Sequence, residues 1–280
     1  MPLRRLVLAI MLSLFAAVAS PSPGRAQDAQ PAIRSFPVAT LEKLGMSMAE
    51  QAQEASNADE ILTAEGRNTE TDGIVGWIFD PAADHNRVRF VRERGQKLEA
   101  AYDVIFTKST QPKFVVPAKR DLTARETAQF RARQLAARGI EKPCSPVYNT
   151  LAVKDPGSDR WLVWVLATAA DPGAVAVGGH TRFTISADGQ TIVSRDALSL
   201  GCIVINPAPP APGSQPLASF VTHLMSDTPV ETHVFVSLLY NLPLLVGVPD
   251  QSVWRVERGK MQKLQAAASR ATPRGMTSSP

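Results

Sequence analysis

The segment 161–166, with the sequence WLVWVL, constrains the fold of this chain more than any other feature. Successive side chains of a strand point to opposite faces, and in this segment both faces are apolar. A strand of this kind must be covered on both sides, which is typical of a central strand. The sequence therefore predicts a sheet whose middle strand lies between two layers of structure.

A helix is predicted shortly before that strand. The tetrapeptide TARE at 123–126 fits a capping box, in which the threonine and glutamate side chains bind free backbone donors at a helix start. Apolar residues then recur at helical spacing, and Gly139 follows where a left-handed C-terminal cap is expected. The capped helix is predicted over about 123–138. Its other face carries four arginines that we interpret as solvated: Arg125, Arg131, Arg133 and Arg138.

The first part of the chain is predicted to combine a helix with a small antiparallel sheet. Residues 27–37 lack periodicity and are expected to form a flexible leader. Residues 40–64 are rich in helix formers with apolar side chains at helical spacing, which predicts an amphipathic helix interrupted near Gly45. Short segments rich in β-branched and aromatic residues then predict strands at 74–79, 88–91, 101–106 and 114–116, with a hairpin turn at Gly95.

The second half of the chain is predicted to be mostly strand. Residues 180–187 alternate in polarity and lead through Asp188 and Gly189 into a return strand, which is a typical hairpin pattern. The segment 140–159 is expected to be a long loop. Further strands are predicted at 202–205, 217–224, 232–239, 243–248 and 252–256. The predicted fold class is α+β: antiparallel sheets with an N-terminal helix and one central capped helix.

The two ends of the chain suggest export and processing. Arg4 and Arg5 precede an apolar run at 6–19, which is shorter than the ~20 residues needed to span a membrane. We therefore interpret 1–26 as a signal peptide, with a second cleavage site possible after Ala19.

We expect two domains at 27–118 and 119–262, and no transmembrane segment after processing. The second domain holds a proline-rich loop at 207–216, and 263–280 is expected to be a disordered tail.

The chain has two cysteines, Cys144 and Cys202. An even cysteine count in an exported protein predicts a disulfide, which here would close a loop of about 58 residues and stabilise the fold by ~4 kcal/mol. A pair of redox-active thiols normally has a Cys-x-x-Cys spacing, which is absent. A structural disulfide in a periplasmic or secreted protein is the preferred interpretation.

The charge balance gives no indication of a nucleic-acid partner. The chain carries 30 Lys and Arg against 26 Asp and Glu, and three of the cations lie in 1–26. The processed chain is therefore nearly neutral, whereas nucleic-acid binding needs clustered basic residues. Arg87 and Arg89 share one face of a predicted strand. We interpret them as part of a solvated edge, with a small basic patch as the alternative.

The candidate chemical residues are few. The sequence contains no Gly-x-Ser-x-Gly, Ser-x-x-Lys or His-Glu-x-x-His motif, so no catalytic residue is assigned. His180, His223 and His233 could hold zinc together with a carboxylate, but their spacing is not typical of metal ligands, and neither a metal nor a cofactor is predicted. His180 and His233 are expected on sheet faces near solvent, where they and Tyr240 are candidates for contact with a ligand or partner.

Residues 123–199 resemble PepSY-type modules in the order of their elements. A capped helix is followed by a loop, an aliphatic strand and a hairpin with an Asp-Gly turn. The resemblance implies a helix packed on a small antiparallel sheet, in a class of modules associated with secreted proteins and with restraint of peptidases. The overall layout also resembles uncharacterised exported bacterial proteins, which implies no activity.

These observations lead to hypotheses of three kinds. The first is a soluble, non-catalytic module of the cell envelope that binds a protein or peptide through a sheet edge or the 207–216 loop. The alternative is a periplasmic hydrolase or metal-binding enzyme using His180, His223 or His233, which requires at least two of these to converge with a carboxylate in a cleft. The third is a structural part of an envelope assembly, which would expose a large apolar patch.

Overall fold

The computed structural model describes residues 32–141, 143–208 and 217–264, which belong to one compact unit beginning at Ala32. The predicted signal peptide, most of the proline-rich loop and most of the C-terminal tail lie outside the described residues. Within these ranges, no helix has the length and apolar character needed to cross a membrane. The division into parts at 27–118 and 119–262 stays a prediction.

The first helix and the first sheet lie where the sequence places them. Helix α1 spans Val38–Ala64 and is followed by an antiparallel meander of β1 (Ile74–Pro81), β2 (His85–Arg94), β3 (Lys97–Thr107) and β4 (Lys113–Val115). The C-terminal half of α1 packs its Ala58 and Leu62 against the apolar face of this sheet. The predicted helix and all four predicted strands are confirmed, the first three strands with longer bounds and the fourth shifted by one residue.

The second helix and the second sheet contain the central strand. Helix α2 spans Ala124–Arg138 and precedes β5 (Tyr148–Lys154), β6 (Trp161–Ala167), β7 (Val175–Ala176), β8 (Thr181–Ile185), β9 (Ile192–Ala197) and β10 (Val204–Ile205). The antiparallel sheet order is β5-β6-β8-β9, and every residue of β6 is buried, as predicted. The expected long loop at 140–159 is wrong, because Leu151 and Ala152 are buried in β5 and pair with β6.

A third sheet is built around a buried helix. It consists of β11 (Ser219–Thr222), β12 (Leu244–Gly247), β13 (Val253–Glu257) and β14 (Lys260–Leu264), and α3 (Glu231–Leu239) connects the parallel pair β11 and β12. The predicted strand at 232–239 is therefore wrong. Seven of the nine residues of α3 are buried, including polar ones such as Thr232 and His233, so its sequence lacks the periodic apolar face that separates a helix from a strand.

Two glycines act by allowing close packing. The predicted interruption at Gly45 is wrong, because α1 continues through it, and a Cβ there would lie 2.5 Å from the Cβ of Val234 in α3. Likewise Gly139 has φ −83° and is not a left-handed cap. A Cβ at Gly139 would lie 2.8 Å from the Phe183 ring. The capping box of Thr123 and Glu126 at the start of α2 is confirmed.

Residues outside the sheets are tied to them by covalent and ionic links. The predicted disulfide between Cys144 and Cys202 is confirmed, with Cα atoms 5.3 Å apart. The described part of the predicted leader is also anchored, since Ile33 is buried and the guanidinium of Arg34 donates two hydrogen bonds to Asp155. Residues 32–37 therefore do not form a flexible leader.

The two arginines of the predicted solvated edge lie in an ion cluster. Arg89 is buried and donates to both carboxylate oxygens of Asp103 at 2.7 Å and to Glu126 at 2.8 Å. Arg87 is partly buried and pairs with Asp80 and Glu126. The solvated-edge interpretation is wrong, because carboxylates from β1, β3 and α2 surround the two arginines and form ion pairs with them.

Candidate functional site

A cleft in the middle of the molecule brings together residues from six elements. Its volume is about 540 Å³, and its walls come from α1, β1, α2, β5, β6 and α3. We name it the Arg133 cleft, after the one charged side chain among its described lining residues. Trp77, Tyr148, Phe235 and Tyr240 supply its aromatic walls.

The guanidinium of Arg133 is fixed by neutral groups. It lies over the Trp77 ring, with its Cζ 3.8 Å from the ring centroid, and its Nε donates to the hydroxyl of Thr150 at 3.1 Å. Its Nη1 donates to the backbone carbonyl of Trp77. A stacked guanidinium with two fixed hydrogen bonds has little rotational freedom. The interpretation of Arg133 as a solvated side chain is therefore wrong.

No described residue supplies a counter-charge for this guanidinium. Arg133 forms no ion pair within the described ranges, and burial lowers its pKa without an opposing contribution from a carboxylate. Its Nη2 makes no hydrogen bond to any residue of those ranges. A partly buried cation without a counter-charge is unfavourable, whereas an anion that enters the cleft would supply the missing charge and acceptors.

The rest of the cleft is suited to a ligand with both polar and apolar parts. Leu151, Leu166 and Phe235 are buried and form an apolar floor. At the rim, Tyr240 is 46 % exposed, and burial of its hydroxyl side raises its pKa. Tyr240 was expected to contact a ligand or partner, and it lies at this cleft. Its hydroxyl makes no hydrogen bond to the described part of the chain and is free to donate one.

A bulge in β1 positions Trp77. The register between β1 and β2 shifts between Ile74 and Gly76, and Gly76 has φ +151°. A Cβ at Gly76 would lie 3.0 Å from the Phe130 ring of α2, so glycine permits the two elements to approach here. The bulge and this contact set Trp77 beneath the guanidinium that α2 supplies.

The spacing of residues along α2 indicates that Arg133 lies beside the buried face, although the helix arginines were predicted to be solvated. Arg133 follows Phe130 by three residues and Glu126 by seven, and both of these are buried. Residues three and seven apart lie on the same side of a helix. The spacing therefore places Arg133 beside the buried face, although its stacking partner Trp77 cannot be identified from spacing.

The histidines are not near solvent, contrary to the expectation for His180 and His233. His180 is 3 % exposed and His233 is 5 % exposed, and neither lines the Arg133 cleft. The Nδ1 of His180 accepts from the Ala167 amide at 3.1 Å, and its Nε2 lies 3.2 Å from the carbonyl of Ala176. Both ring nitrogens of His180 are therefore bound to the backbone.

His223 and His233 come together in a separate cavity of about 190 Å³. Their ring centroids are 5.0 Å apart in an edge-to-face arrangement. The Nδ1 of His233 accepts from the Val230 amide at 3.0 Å, while the Nε2 of His223 lies 2.9 Å from the hydroxyl of Ser226. Burial lowers the pKa of His223 to about 4 and that of His233 to about 3, so both rings are neutral at neutral pH.

The histidine cavity lacks the acidic partner that the enzyme hypothesis requires. Two of the three histidines converge, but the described residues around them are apolar or neutral and include no carboxylate. Across the described residues, no group of three or more His, Cys, Asp or Glu side chains is arranged to hold a metal ion.

Comparison with known proteins identified no relative of this chain. No protein-family model, curated protein or solved structure matches the chain.

Proposed function

We propose that this protein is a non-catalytic binding module of the cell envelope, periplasmic or secreted, and that it holds the C-terminal end of a peptide or protein partner in the Arg133 cleft. The observation that carries the proposal is the stacked Arg133 guanidinium, which has no counter-ion among the described residues. Export is supported by the apolar run at 6–19 and by the Cys144–Cys202 disulfide.

A peptide carboxylate suits the charge and shape of this cleft. Guanidinium groups bind carboxylates through paired N–H donors in one plane, and burial strengthens such bonds. The cavity volume of about 540 Å³ is large enough for one or two residues of a peptide. The apolar floor would take the terminal side chain, and the Tyr240 hydroxyl and the exposed Asn149 amide would take backbone groups at the rim.

The resemblance of 123–199 to PepSY-type modules supports a partner-binding role. Such modules are associated with restraint of peptidases, and holding a chain end would be one way to engage a partner without cleaving it. The contact surface in this proposal is the Arg133 cleft, instead of a sheet edge or the 207–216 loop.

The test compares peptides that differ only in their terminal group. Fluorescent tripeptides ending in Phe, Leu, Ala or Glu, each as free acid and as amide, would be titrated into the wild-type protein, Arg133→Gln and Arg133→Lys. We expect at least one free acid to bind, and we expect amidation or Arg133→Gln to weaken that binding by about tenfold or more, since a charged hydrogen bond is lost. Arg133→Lys should restore binding in part.

The matched control is Arg138→Gln, which removes an exposed arginine from the same helix and should leave affinity unchanged. Urea denaturation of each variant would show that the fold persists at the assay temperature. Equal affinity for acid and amide, or full affinity in a folded Arg133→Gln protein, would contradict the proposal.

A second candidate is a serine hydrolase, which the contact between Ser226 and His223 favours. Their hydroxyl oxygen and Nε2 are 2.9 Å apart, within reach for proton transfer. However, the Ser226 hydroxyl donates to the carbonyl of Thr228 at 2.8 Å, which directs its proton away from the imidazole. A fluorophosphonate probe decides between the two: labelling that is lost in Ser226→Ala would support the hydrolase, and absence of labelling would reject it.

A further inference from the structure

A further cavity lies beside the first half of α2, between that helix and the turn that joins β8 to β9. It has a volume of about 640 Å³, and we name it the Arg125 groove. Its walls include Leu122, Ala124 and Ala128, and three cations line it: Arg125, Arg131 and Lys154. The tight packing of the turn against α2 fixes one side of the groove, since a Cβ at Gly189 would lie 2.1 Å from the carbonyl oxygen of Ala128.

The three cations of the groove are not neutralised by ion pairs. Within the described ranges, Arg125 and Arg131 make neither a hydrogen bond nor an ion pair, and both are exposed. The Nζ of Lys154 lies 4.1 Å from the Trp161 ring centroid and donates to the backbone carbonyl of Asp159, which carries no charge. Burial lowers the pKa of Lys154, the nearby charge of Arg125 lowers it further, and the carboxylate of Asp159 opposes this shift in part.

One carboxylate also lines the groove, and it is engaged in its own turn. Asp188 accepts from the Ser186 hydroxyl at 2.5 Å, from the Gln190 amide at 3.1 Å and from the Gln190 side chain at 3.0 Å. Its single negative charge leaves a surplus of positive charge among the described lining residues. The groove therefore favours an anion that carries more than one charge.

We propose that the Arg125 groove binds a phosphoryl group, presented by a lipid headgroup or by a soluble phosphate ester. A phosphoryl group has three terminal oxygens and up to two negative charges, which matches two guanidinium groups and one ammonium. The Arg133 cleft differs, because one cation above an apolar floor suits a singly charged carboxylate. The apolar walls at Leu122 and Ala128 would contact whatever carries the phosphoryl group.

The test uses two phosphoryl sources and a charge-deficient variant. Isothermal titration with phenyl phosphate would measure soluble binding, and co-sedimentation with phosphatidylcholine vesicles, with and without phosphatidic acid, would measure headgroup binding. We expect binding in at least one arm, weakened about tenfold or more in Arg125→Gln/Lys154→Gln, and weakened by added salt. Binding in one arm alone identifies the source.

Two controls keep this result separate from the proposed peptide site. Arg138→Gln and Arg133→Gln should both retain phosphoryl binding, because neither residue lines the groove. The double variant removes exposed or partly exposed side chains, so it should remain folded, which urea denaturation would verify. Absence of binding in both arms, binding of an acidic peptide alone, or unchanged binding by the folded double variant would overturn the proposal.

Discussion

The buried ion pairs among the described residues contrast with Arg133, which is partly buried and has no counter-charge there, and on which the proposed function rests. Arg182 is fully buried, and its guanidinium donates to Asp196 at 2.7 Å and to Glu231 at 2.9 Å. Glu231 also accepts from the Trp164 indole at 2.7 Å. Because removing one partner of a buried pair is strongly destabilising, such clusters hold their residues in place. Because Arg133 has no such carboxylate partner among the described residues, we interpret its guanidinium as a group that binds a ligand.

The buried histidines predict a loss of stability in acid. A histidine with an unfolded pKa near 6.5 and a folded pKa of about 3, such as His233, binds its proton mainly in the unfolded state. Stability then falls as the pH drops below about 6.5, by up to ~1.4 kcal/mol per pH unit for one group, and levels off near the folded pKa.

The variant His233→Gln should reduce this acid loss while keeping the helix cap, since glutamine can also accept the Val230 amide that His233 accepts at 3.0 Å. Urea denaturation between pH 7 and pH 4 measures the effect. Gln53→Ala, at an exposed position of α1 without a titratable side chain, serves as the control and should leave the slope unchanged. An unchanged slope in His233→Gln would show that this residue does not titrate between folded and unfolded states.

At the scale of single residues, the sequence predicted those roles that depend on residue type and on near neighbours in the chain. The even count of two cysteines predicted the disulfide, and the spacing of Thr123 and Glu126 predicted the capping box. Arg133 was missed because its partner Trp77 lies 56 residues away, on a strand whose packing against α2 is decided by tertiary contacts. The burial of His180 was missed for the same reason.

Small residues allow helices of this fold to pack closely against each other where they cross, as at Gly45 of α1. Helix α1 has a glycine in its interior, where glycine costs roughly 1 kcal/mol relative to alanine. The structure explains the residue, because a Cβ at Gly45 would lie 2.5 Å from the Cβ of Val234 and 2.7 Å from the carbonyl oxygen of Glu231 in α3. The contact between α1 and α3 joins the first helix to the third sheet.

Gly45→Ala should therefore destabilise the protein in spite of its better helix propensity. The added methyl would overlap Val234 and the Glu231 carbonyl, and overpacking of this kind costs about 1–3 kcal/mol. Urea denaturation measures the change, and Lys43→Ala, at an exposed position on the same helix, should be nearly neutral. A gain in stability for Gly45→Ala would mean that the two helices separate easily at this point.

Elements with clear periodicity, capping or flanking turns were predictable, whereas a short buried helix rich in strand-favouring residues was not. Strand β6 was identified because its length and flanking turns fit a strand. Helix α3 was mistaken for a strand because valine and phenylalanine favour strands, while the crossover between parallel β11 and β12 requires a helix. Tertiary topology overrode local propensity there.

At the scale of the whole molecule, the disulfide closes a loop of 58 residues that contains β5 to β9 and therefore the second sheet. Replacing both Cys144 and Cys202 with alanine should lower the free energy of unfolding by roughly 4 kcal/mol, because the unfolded chain regains the entropy of the open loop. Thermal melting should show a decrease of about 10 °C for a chain of this size.

Reduced wild-type protein is the natural comparison, and it should melt at the same temperature as the double variant. Alkylation without reductant should leave the native protein unmodified, as judged by intact mass. A double variant as stable as the wild type would mean that the second sheet is held by its packing alone.

The tryptophans give this molecule its own optical readout. Each proposed binding surface has a cation above an indole: Arg133 over Trp77 in the cleft, and Lys154 over Trp161 in the groove. Indole emission depends on the electric field across the ring, so an anion that draws either cation away should change the colour and intensity of that tryptophan's fluorescence. Replacing Trp77 or Trp161 with phenylalanine would assign each spectral change to one surface, and the two ligands could be followed independently in a single cuvette without any added dye.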